Sequence, residues 1–204
     1  MARIRKDFRY KLIENFLNKE ELNLLRKYAS YKLNNLSSAN IIGSDTTAAP
    51  YCLDYARDDL MHTILESKTS LVEKETELKL FPTYAYWRWY PHGSLLHPHT
   101  DRPSCEISVT VNIYKTEDWP LTINDKKINV DSGQGVIYLG IEDKHSREGT
   151  YEGDGFAQLF LHYVDQNGFF AHHKHDKIVK RLGKTHDKGD VKLIEKLINQ
   201  NENS

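Results

Sequence analysis

The stretch Glu106–Tyr114, EISVTVNIY, alternates polar and apolar side chains throughout its length. Successive side chains of a β-strand point to opposite faces, so this alternation favours a strand over a helix. The polar face comprises Glu106, Ser108, Thr110 and Asn112, and the apolar face comprises Ile107, Val109, Val111 and Ile113. A strand of this kind predicts a sheet that covers a core with its apolar face.

Further strand candidates follow one another between residues 83 and 164. They are TYAYWRWY, WPLTIN, KKINV, QGVIYLG and FAQLFLHYV, and Gly, Asp and Asn turn residues separate them. Short strands with such turns between them are typical of a β-sandwich or β-barrel. The chain is therefore predicted to be mainly β.

Helical patterns flank this β region. In LNKEELNLLRKYAS, Asn18 is the expected N-cap and Glu21 stands three residues later, as in a capping box. A second helix is predicted over Tyr55–Lys74, and the tail GDVKLIEKLINQ returns to helical spacing. Between the first two helices, NNLSSANIIGSDTTAAPY is a turn-rich connection, long enough for a mobile loop over a substrate.

These patterns predict a single domain over residues 1–204. A helical N-terminal support of about 1–76 precedes a β core of about 77–170, and a helical tail of about 171–204 follows. The chain has 204 residues, of which 39% are hydrophobic and 11% aromatic. This composition is sufficient for one folded core.

Charge and targeting signals restrict the possible partners and location. The 28 basic and 29 acidic residues give a net charge of -1, so nucleic acid is not an expected partner. The stretch DKIVKRLGKTHDK is a local basic exception. No apolar run is long enough to span a membrane, and the N-terminus lacks the apolar segment of a secretory signal, which together predict a cytoplasmic protein. Cys52 and Cys105 form no CxxC pair and are expected to be free, buried thiols.

The stretch LLHPHTDRPSCE places His97, His99 and Asp101 at every second position, on one face of a strand. The HxHxDH pattern of di-zinc hydrolases is excluded because Arg102 stands where its final histidine would be. A 2-His-1-carboxylate triad for Fe(II) needs only His99, Asp101 and one distant histidine. His145, after an apolar strand, and His162, inside the last strand, are both candidates. A third group of histidines, in AHHKHDK, is expected in a solvated loop.

The order YWRWYPHGSLLHPHTD, SGQGVIYLG, His145 and FAQLFLHYV resembles the 2-oxoglutarate/Fe(II)-dependent dioxygenases, in the branch of the prolyl 4-hydroxylases. The resemblance extends from Tyr84 to Asp165. It implies a double-stranded β-helix core, jelly-roll or cupin-like, with His99, Asp101 and His145 as iron ligands. It also implies Fe(II), 2-oxoglutarate and O2 as cofactors. The implied reaction is hydroxylation of an unactivated C–H bond, with a prolyl or other amino-acid side chain, in a peptide or free, as the best candidate.

One position departs from the family pattern. These enzymes usually hold the distal carboxylate of 2-oxoglutarate with Arg or Lys at the start of the strand that follows the distal histidine, and Gln158 lies there instead. A dianion in an enclosed pocket needs compensating charge, and the first candidate is Arg147, whose planar guanidinium matches a carboxylate. Arg88 and His162 are the alternatives. Tyr90 resembles the family tyrosine that donates a hydrogen bond to the same carboxylate.

The sequence leaves the roles of four other polar residues undecided. Thr110 is expected to contact the cosubstrate if its face of the strand lines the cavity. Arg102 and Glu106 are candidates for contacting a peptide or small-molecule substrate, or for pairing with each other. His97 is a candidate for orienting a metal ligand through its ring, or is a surface residue beside Pro98.

A different class of protein fits the same three metal ligands. A cupin-like β-sandwich that binds a metal without catalysis has no need for a cosubstrate pocket. The absence of a basic residue near Gln158 is the feature of the sequence that favours this alternative.

Overall fold

The computed structural model describes residues 8–35, 41–43, 48–50, 52–56 and 58–176, and only the backbone of 41–43. Three predicted segments lie largely outside these residues: the loop over the substrate, the basic stretch and the C-terminal helix. Among the described helices, none is long and apolar enough to cross a membrane.

Two α-helices precede most of the strands. Helix α1 is Lys19–Asn34 and helix α2 is Asp59–Thr76, and two short 3-10 turns lie at Pro103–Cys105 and Ala171–His173. The strands are β1 Tyr10–Ile13, β2 Ile41–Gly43, β3 Leu53–Ala56, β4 Leu80–Tyr90, β5 Leu96–His99, β6 Ile107–Lys115, β7 Leu121–Ile123, β8 Lys126–Ile128, β9 Gly135–Tyr138, β10 His145–Arg147 and β11 Phe156–Asp165.

The strands form two antiparallel sheets. The larger sheet has the order β1-β9-β6-β11-β4-β3-β2, and the smaller sheet has the order β5-β10-β7-β8. The long strands β4, β6 and β11 are neighbours at the centre of the larger sheet. The smaller sheet supplies the two strands that carry the predicted metal-binding histidines.

The larger sheet has a buried layer on each side. One layer contains the apolar face of β6, which packs with residues of α1 and α2, including Leu25 and Leu65. The other layer lies between the two sheets and includes Tyr90, Trp119 and Phe156. The alternation predicted for β6 is confirmed, but its polar face is buried as well: Ser108, Thr110 and Asn112 are at most 1% exposed.

Both helices begin at a side-chain cap. In α1 the capping box is confirmed, since Asn18 accepts from the Glu21 amide and Glu21 accepts from the Asn18 amide, both at 2.8 Å. Helix α2 begins later than predicted, because Asp58 is its N-cap. Tyr55 lies instead in β3, where its ring stacks on Trp87 with 4.0 Å between centroids.

The N-terminal region is therefore not only a helical support. Strands β1 and β3 belong to the larger sheet, where β1 pairs with β9 and β3 pairs with β4. Neither cysteine is in a disulfide, and both are buried, as predicted.

Candidate metal centre

His99 ends strand β5 and His145 begins strand β10. The two strands are antiparallel neighbours, and these two histidines are direct partners in the register. Asp101 follows two residues after His99, and its backbone amide donates to the carbonyl of Gly140 at 2.7 Å. Pairing of the two strands therefore brings distant parts of the chain to one point.

The three side chains converge with their potential ligand atoms. One ligand atom from each of His99, Asp101 and His145 lies within 4.8 Å of the other two. The Oδ1 atom of Asp101 is 3.9 Å from Nε2 of His99 and 3.7 Å from Nε2 of His145. Two imidazoles and one carboxylate on a single side of a site form the donor set of a facial triad, which suits Fe(II) and leaves positions open.

The backbone sets both imidazoles in the tautomer that a metal requires. Nδ1 of His99 lies 2.8 Å from the carbonyl of His97, and Nδ1 of His145 lies 2.9 Å from the carbonyl of Asp143. A carbonyl only accepts, so each Nδ1 carries the proton and each Nε2 presents its lone pair. Burial, assisted by the neighbouring His145, lowers the pKa of His99.

His97 contributes its carbonyl rather than its ring to this arrangement. Its side chain is exposed, so the prediction of a ring that orients a ligand is wrong. His162, the other candidate for the third ligand, groups within 4.8 Å of Asp101 and Cys105. That group fits a metal poorly, because the Ser108 hydroxyl already forms hydrogen bonds with Asp101 Oδ2 and His162 Nδ1. Burial also raises the pKa of the Cys105 thiol to about 12, which disfavours the thiolate that a metal binds.

A pocket between the two sheets opens beside the three ligands. Besides these ligands it is lined by Tyr86, Arg88, Leu96, Thr110, Leu121, Tyr138, Gln158, Phe160 and His162. Thr110 lies on the cavity side of β6, as predicted, with its hydroxyl 3.5 Å from that of Tyr138. Polar and aromatic groups therefore surround the space next to the metal centre.

The two arginines flanking Gln158 differ in their pairing. Arg88 makes two bonds to the carboxylate of Asp54, one of them at 2.8 Å from Nη2, and a third to Tyr90 Oη at 3.3 Å. Arg147 is 5% exposed and donates from Nη2 to Gln158 Oε1 at 3.1 Å. Within the described chain no carboxylate pairs with Arg147, and its Nε has no hydrogen-bond partner. Burial lowers the pKa of Arg147 to about 10.

Aromatic rings enclose this guanidinium. Its carbon lies 4.7 Å from the ring centre of Phe156 and 5.1 Å from that of Trp119. Tyr90 stands edge-on to the same two rings, which places it beside Arg147. Two amide donors nearby, Gln158 Nε2 and Asn112 Nδ2, are also buried and lack a partner among the described residues. Buried donors without acceptors cost free energy, so this end of the pocket suits an anion.

Solved structures share this architecture. The α-ketoglutarate-dependent epimerase SnoN from nogalamycin biosynthesis is 12% identical, with a TM-score of 0.63 and 76% of each chain covered. A collagen prolyl hydroxylase of Paramecium Bursaria Chlorella virus-1, solved with 2-oxoglutarate, is 13% identical, with a TM-score of 0.56 over 77% of this chain and 96% of that one. A Pseudomonas putida prolyl-4-hydroxylase is 14% identical, with a TM-score of 0.57 over 76% and 92%. No family model and no curated protein sequence matches the chain.

The chain has the double-stranded β-helix fold of the 2-oxoglutarate oxygenases. The fold implied by the resemblance in sequence is thus confirmed. In this β-helix the predicted metal-binding histidines, His99 and His145, lie on the smaller sheet, whereas Gln158 and His162 lie on β11 of the larger sheet.

Arg102 and Glu106 lie away from the pocket of the β-helix. Arg102 forms an ion pair with Asp176 and packs over the ring of Tyr84 at 4.7 Å. Glu106 is buried and accepts from the backbone amide of Asp165 at 2.8 Å, and burial raises its pKa. The predicted pairing of Arg102 with Glu106 is therefore wrong, and both side chains serve contacts within the protein.

Gly140 is a site residue that the sequence did not reveal. A Cβ atom there would lie 2.2 Å from the Cys105 carbonyl, 2.5 Å from Ser108 Oγ and 2.6 Å from Asp101 Oδ2. The absence of a side chain lets Asp101 and Ser108 meet. Its position five residues before His145 gave no local sign of this contact, which depends on tertiary packing.

Proposed function

We propose that this protein is an Fe(II)- and 2-oxoglutarate-dependent oxygenase that hydroxylates an unactivated C–H bond. The observation that carries the proposal is the combination of a facial His–Asp–His triad with a buried arginine that lacks a carboxylate partner among the described residues. A metal-binding module explains the triad alone. A cosubstrate with a carboxylate explains both features.

Three atoms would hold the iron: Nε2 of His99, Nε2 of His145 and Oδ1 of Asp101. When bound, Fe(II) with 2-oxoglutarate and O2 supplies the oxidising chemistry that converts a C–H bond to an alcohol. The carbonyls of His97 and Asp143 keep the Nδ1 protons in place, so both imidazoles stay directed at the metal.

Arg147 and Gln158 would bind the distal carboxylate of 2-oxoglutarate. The Nε–H of Arg147 has no partner among the described residues, and the guanidinium charge among aromatic rings favours binding of an anion. Tyr90, which lies beside this guanidinium, would add its hydroxyl, and Thr110 would line the path toward the metal. Arg88 is less suited because Asp54 already neutralises it, and His162 because its Nδ1 contacts Ser108.

For the substrate, the proposal is a prolyl or other amino-acid side chain, in a peptide or a small molecule. Two of the similar structures are prolyl hydroxylases, which supports a prolyl substrate. SnoN, by contrast, has been solved in a complex with Fe3+, α-ketoglutarate and nogalamycin RO, so the same fold also serves a small molecule. A screen should therefore contain both classes.

An anaerobic titration of the Fe(II)-loaded protein with 2-oxoglutarate tests the proposal. The expected result is a visible charge-transfer band of the metal–cosubstrate chelate. The band should be lost in Asp101→Ala, and in Arg147→Ala it should require far more 2-oxoglutarate. Arg26→Ala is the matched control, because Arg26 donates to the Ile113 carbonyl on α1's side of the larger sheet, and its titration should match the wild type.

If the wild type binds Fe(II) but shows no band at saturating 2-oxoglutarate, the oxygenase proposal fails. The cupin-like metal-binding module then becomes the better description. If the band forms, release of succinate in the presence of prolyl peptides, free amino acids and small molecules identifies the substrate class.

A further inference from the structure

Asp101 contacts the larger sheet through the carboxylate oxygen that faces away from the histidines. Its Oδ2 atom lies 2.9 Å from the hydroxyl oxygen of Ser108 on β6. That hydroxyl in turn lies 3.0 Å from Nδ1 of His162 on β11. Ser108 and His162 are 0% and 2% exposed, and we call them the Ser108–His162 pair.

The directions of these two hydrogen bonds follow from the groups involved. The Ser108 hydroxyl has one proton and three possible acceptors: Asp101 Oδ2 at 2.9 Å, His162 Nδ1 at 3.0 Å and the Cys105 carbonyl at 3.2 Å. The carboxylate is the closest and the charged acceptor, so it receives the proton. His162 Nδ1 must then be the donor to the Ser108 oxygen. The result is a directed chain from His162 through Ser108 to Asp101.

Gly140 provides the room for this chain. It has no side chain at the point where a Cβ would overlap both Ser108 Oγ and Asp101 Oδ2. Its carbonyl also accepts from the Asp101 amide, so the backbone and the carboxylate of Asp101 are held by neighbouring groups. Asp101 is thus held at its backbone amide and at Oδ2, and only Oδ1 is directed at the imidazoles of His99 and His145.

We propose that the Ser108–His162 pair positions Asp101 so that it binds the metal through Oδ1 alone. This inference rests on the proposed function, because it concerns the same metal centre. A carboxylate that rotated to bind through both oxygens would occupy a coordination position that the cosubstrate or O2 needs. By holding Oδ2, Ser108 keeps that position open, and His162 keeps the Ser108 proton directed at Asp101.

Co(II) binding to the full chain without 2-oxoglutarate tests this role. Ser108→Ala should raise the Co(II) dissociation constant about tenfold, as is typical when the partner of a metal ligand is removed. The visible spectrum of bound Co(II) should change as well, because that spectrum reports the coordination number and a loss of packing elsewhere would not alter it. Ser104→Ala is the matched control: Ser104 is 1% exposed, and its hydroxyl has no partner among the described residues.

His162 supplies an independent test in case Ser108→Ala does not fold. His162→Asn keeps a donor near the position of Nδ1 and should bind Co(II) as the wild type does. His162→Leu removes the donor and should weaken Co(II) binding several-fold. In the Ser108→Ala background, the same change to Leu should have no further effect, since the two residues act through one chain.

A wild-type Co(II) dissociation constant or an unchanged spectrum in Ser108→Ala would overturn the proposal. The same holds if His162→Leu and His162→Asn bind Co(II) equally well. Because 2-oxoglutarate is absent from these measurements, their outcome is distinct from the outcome of the charge-transfer titration. If the protein binds Co(II) but never forms the charge-transfer band with 2-oxoglutarate, the oxygenase proposal fails, and the Co(II) measurements still test the role of the Ser108–His162 pair.

Discussion

Arg147 and Arg88 are both buried, but only Arg88 has a carboxylate partner among the described residues. A pKa of about 10 in place of 12.5 means that the fold disfavours the charged form of Arg147. The lowered pKa corresponds to a destabilisation of the folded state by roughly 3 kcal/mol at neutral pH, which other interactions must offset when no ligand is bound. If Arg147 binds the cosubstrate as proposed, its buried charge trades stability of the ligand-free protein for function.

The first prediction compares the two arginines. Since the folded protein disfavours the Arg147 charge at neutral pH, Arg147→Met should leave the free energy of unfolding unchanged or raise it by up to about 3 kcal/mol. Arg88→Met should lower the free energy of unfolding by about 3 kcal/mol, because it leaves the Asp54 carboxylate, whose side chain is only 13% exposed, without its partner. Denaturant unfolding of the ligand-free proteins measures both changes. A clearly destabilised Arg147→Met would mean that the guanidinium is already compensated.

The second prediction concerns pH and His99. Burial and the neighbouring His145 lower the pKa of His99 below 6.5, so the imidazole stays neutral at pH values where an exposed histidine begins to gain a proton. A metal binds only the neutral imidazole, so the metal and a proton compete for the same Nε2 lone pair. Protonation of His99 in the metal-free protein, followed by NMR of its ring, should therefore have its midpoint below pH 6.5. A midpoint at or above pH 6.5 would contradict this prediction.

At the residue scale, the sequence predicted the three side chains that the structure brings together as a candidate metal site, and it identified the proposed cosubstrate residues only in part. His99 and Asp101 share a strand face, which local spacing reveals, and the order of segments around His145 supplied the third ligand. Arg147 and Gln158 lie on β10 and β11, which follow each other in sequence but belong to different sheets, so their contact depends on the packing of one sheet on the other. The contact of Ser108 with Asp101 depends equally on packing of one sheet on the other, and no local pattern encodes it.

Among the elements, helix α1 is the one whose beginning is most clearly determined by local sequence. Asn18 and Glu21 satisfy each other's backbone amides, and Lys68 of α2 lies 2.7 Å from the same Glu21 carboxylate. The cap therefore both starts α1 and links it to α2. These helices cover the side of the larger sheet opposite to the metal centre.

The third prediction follows from that separation. Asn18→Ala removes the acceptor for the Glu21 amide and should lower the free energy of unfolding by about 1 kcal/mol. For a chain of this size the melting temperature should fall by about 2 to 4 °C. Co(II) affinity, measured in the same preparation, should not change. A loss of metal binding at temperatures where the variant is folded would show that α1 influences the metal centre.

Long strands and capped helices were predictable, whereas the shortest strands were not. Strands β4, β6 and β11 have long β-prone patterns, and each was expected close to where it lies. Only Tyr55 and Ala56 of strand β3 fell within the predicted second helix, and the pairing of β3 with β4 makes them part of a strand instead. Strand β10 has only His145–Arg147, so its pairing with β5 and β7, rather than its composition, makes it a strand.

For the whole molecule, the metal centre joins the two sheets. All three ligands belong to β5, its extension and β10 in the smaller sheet, whereas Ser108 and His162 belong to the larger sheet. A bound metal would therefore stabilise a contact between the sheets and not only the pairing of β5 with β10. Stability of the folded molecule and occupancy of the site should be linked.

The fourth prediction concerns how much a bound metal stabilises the folded protein. A ligand that binds only the folded state, at a hundred times its dissociation constant, adds about 2.7 kcal/mol to the free energy of unfolding. For a protein of this length the melting temperature should rise by about 5 to 10 °C with Co(II), and excess chelator should reverse the rise. Asp101→Ala should abolish the increase. His172→Ala should keep it, because His172 is exposed and contacts the carbonyl of Phe169 in the turn after β11. An equal rise in wild type and Asp101→Ala would place the stabilising metal elsewhere in the chain.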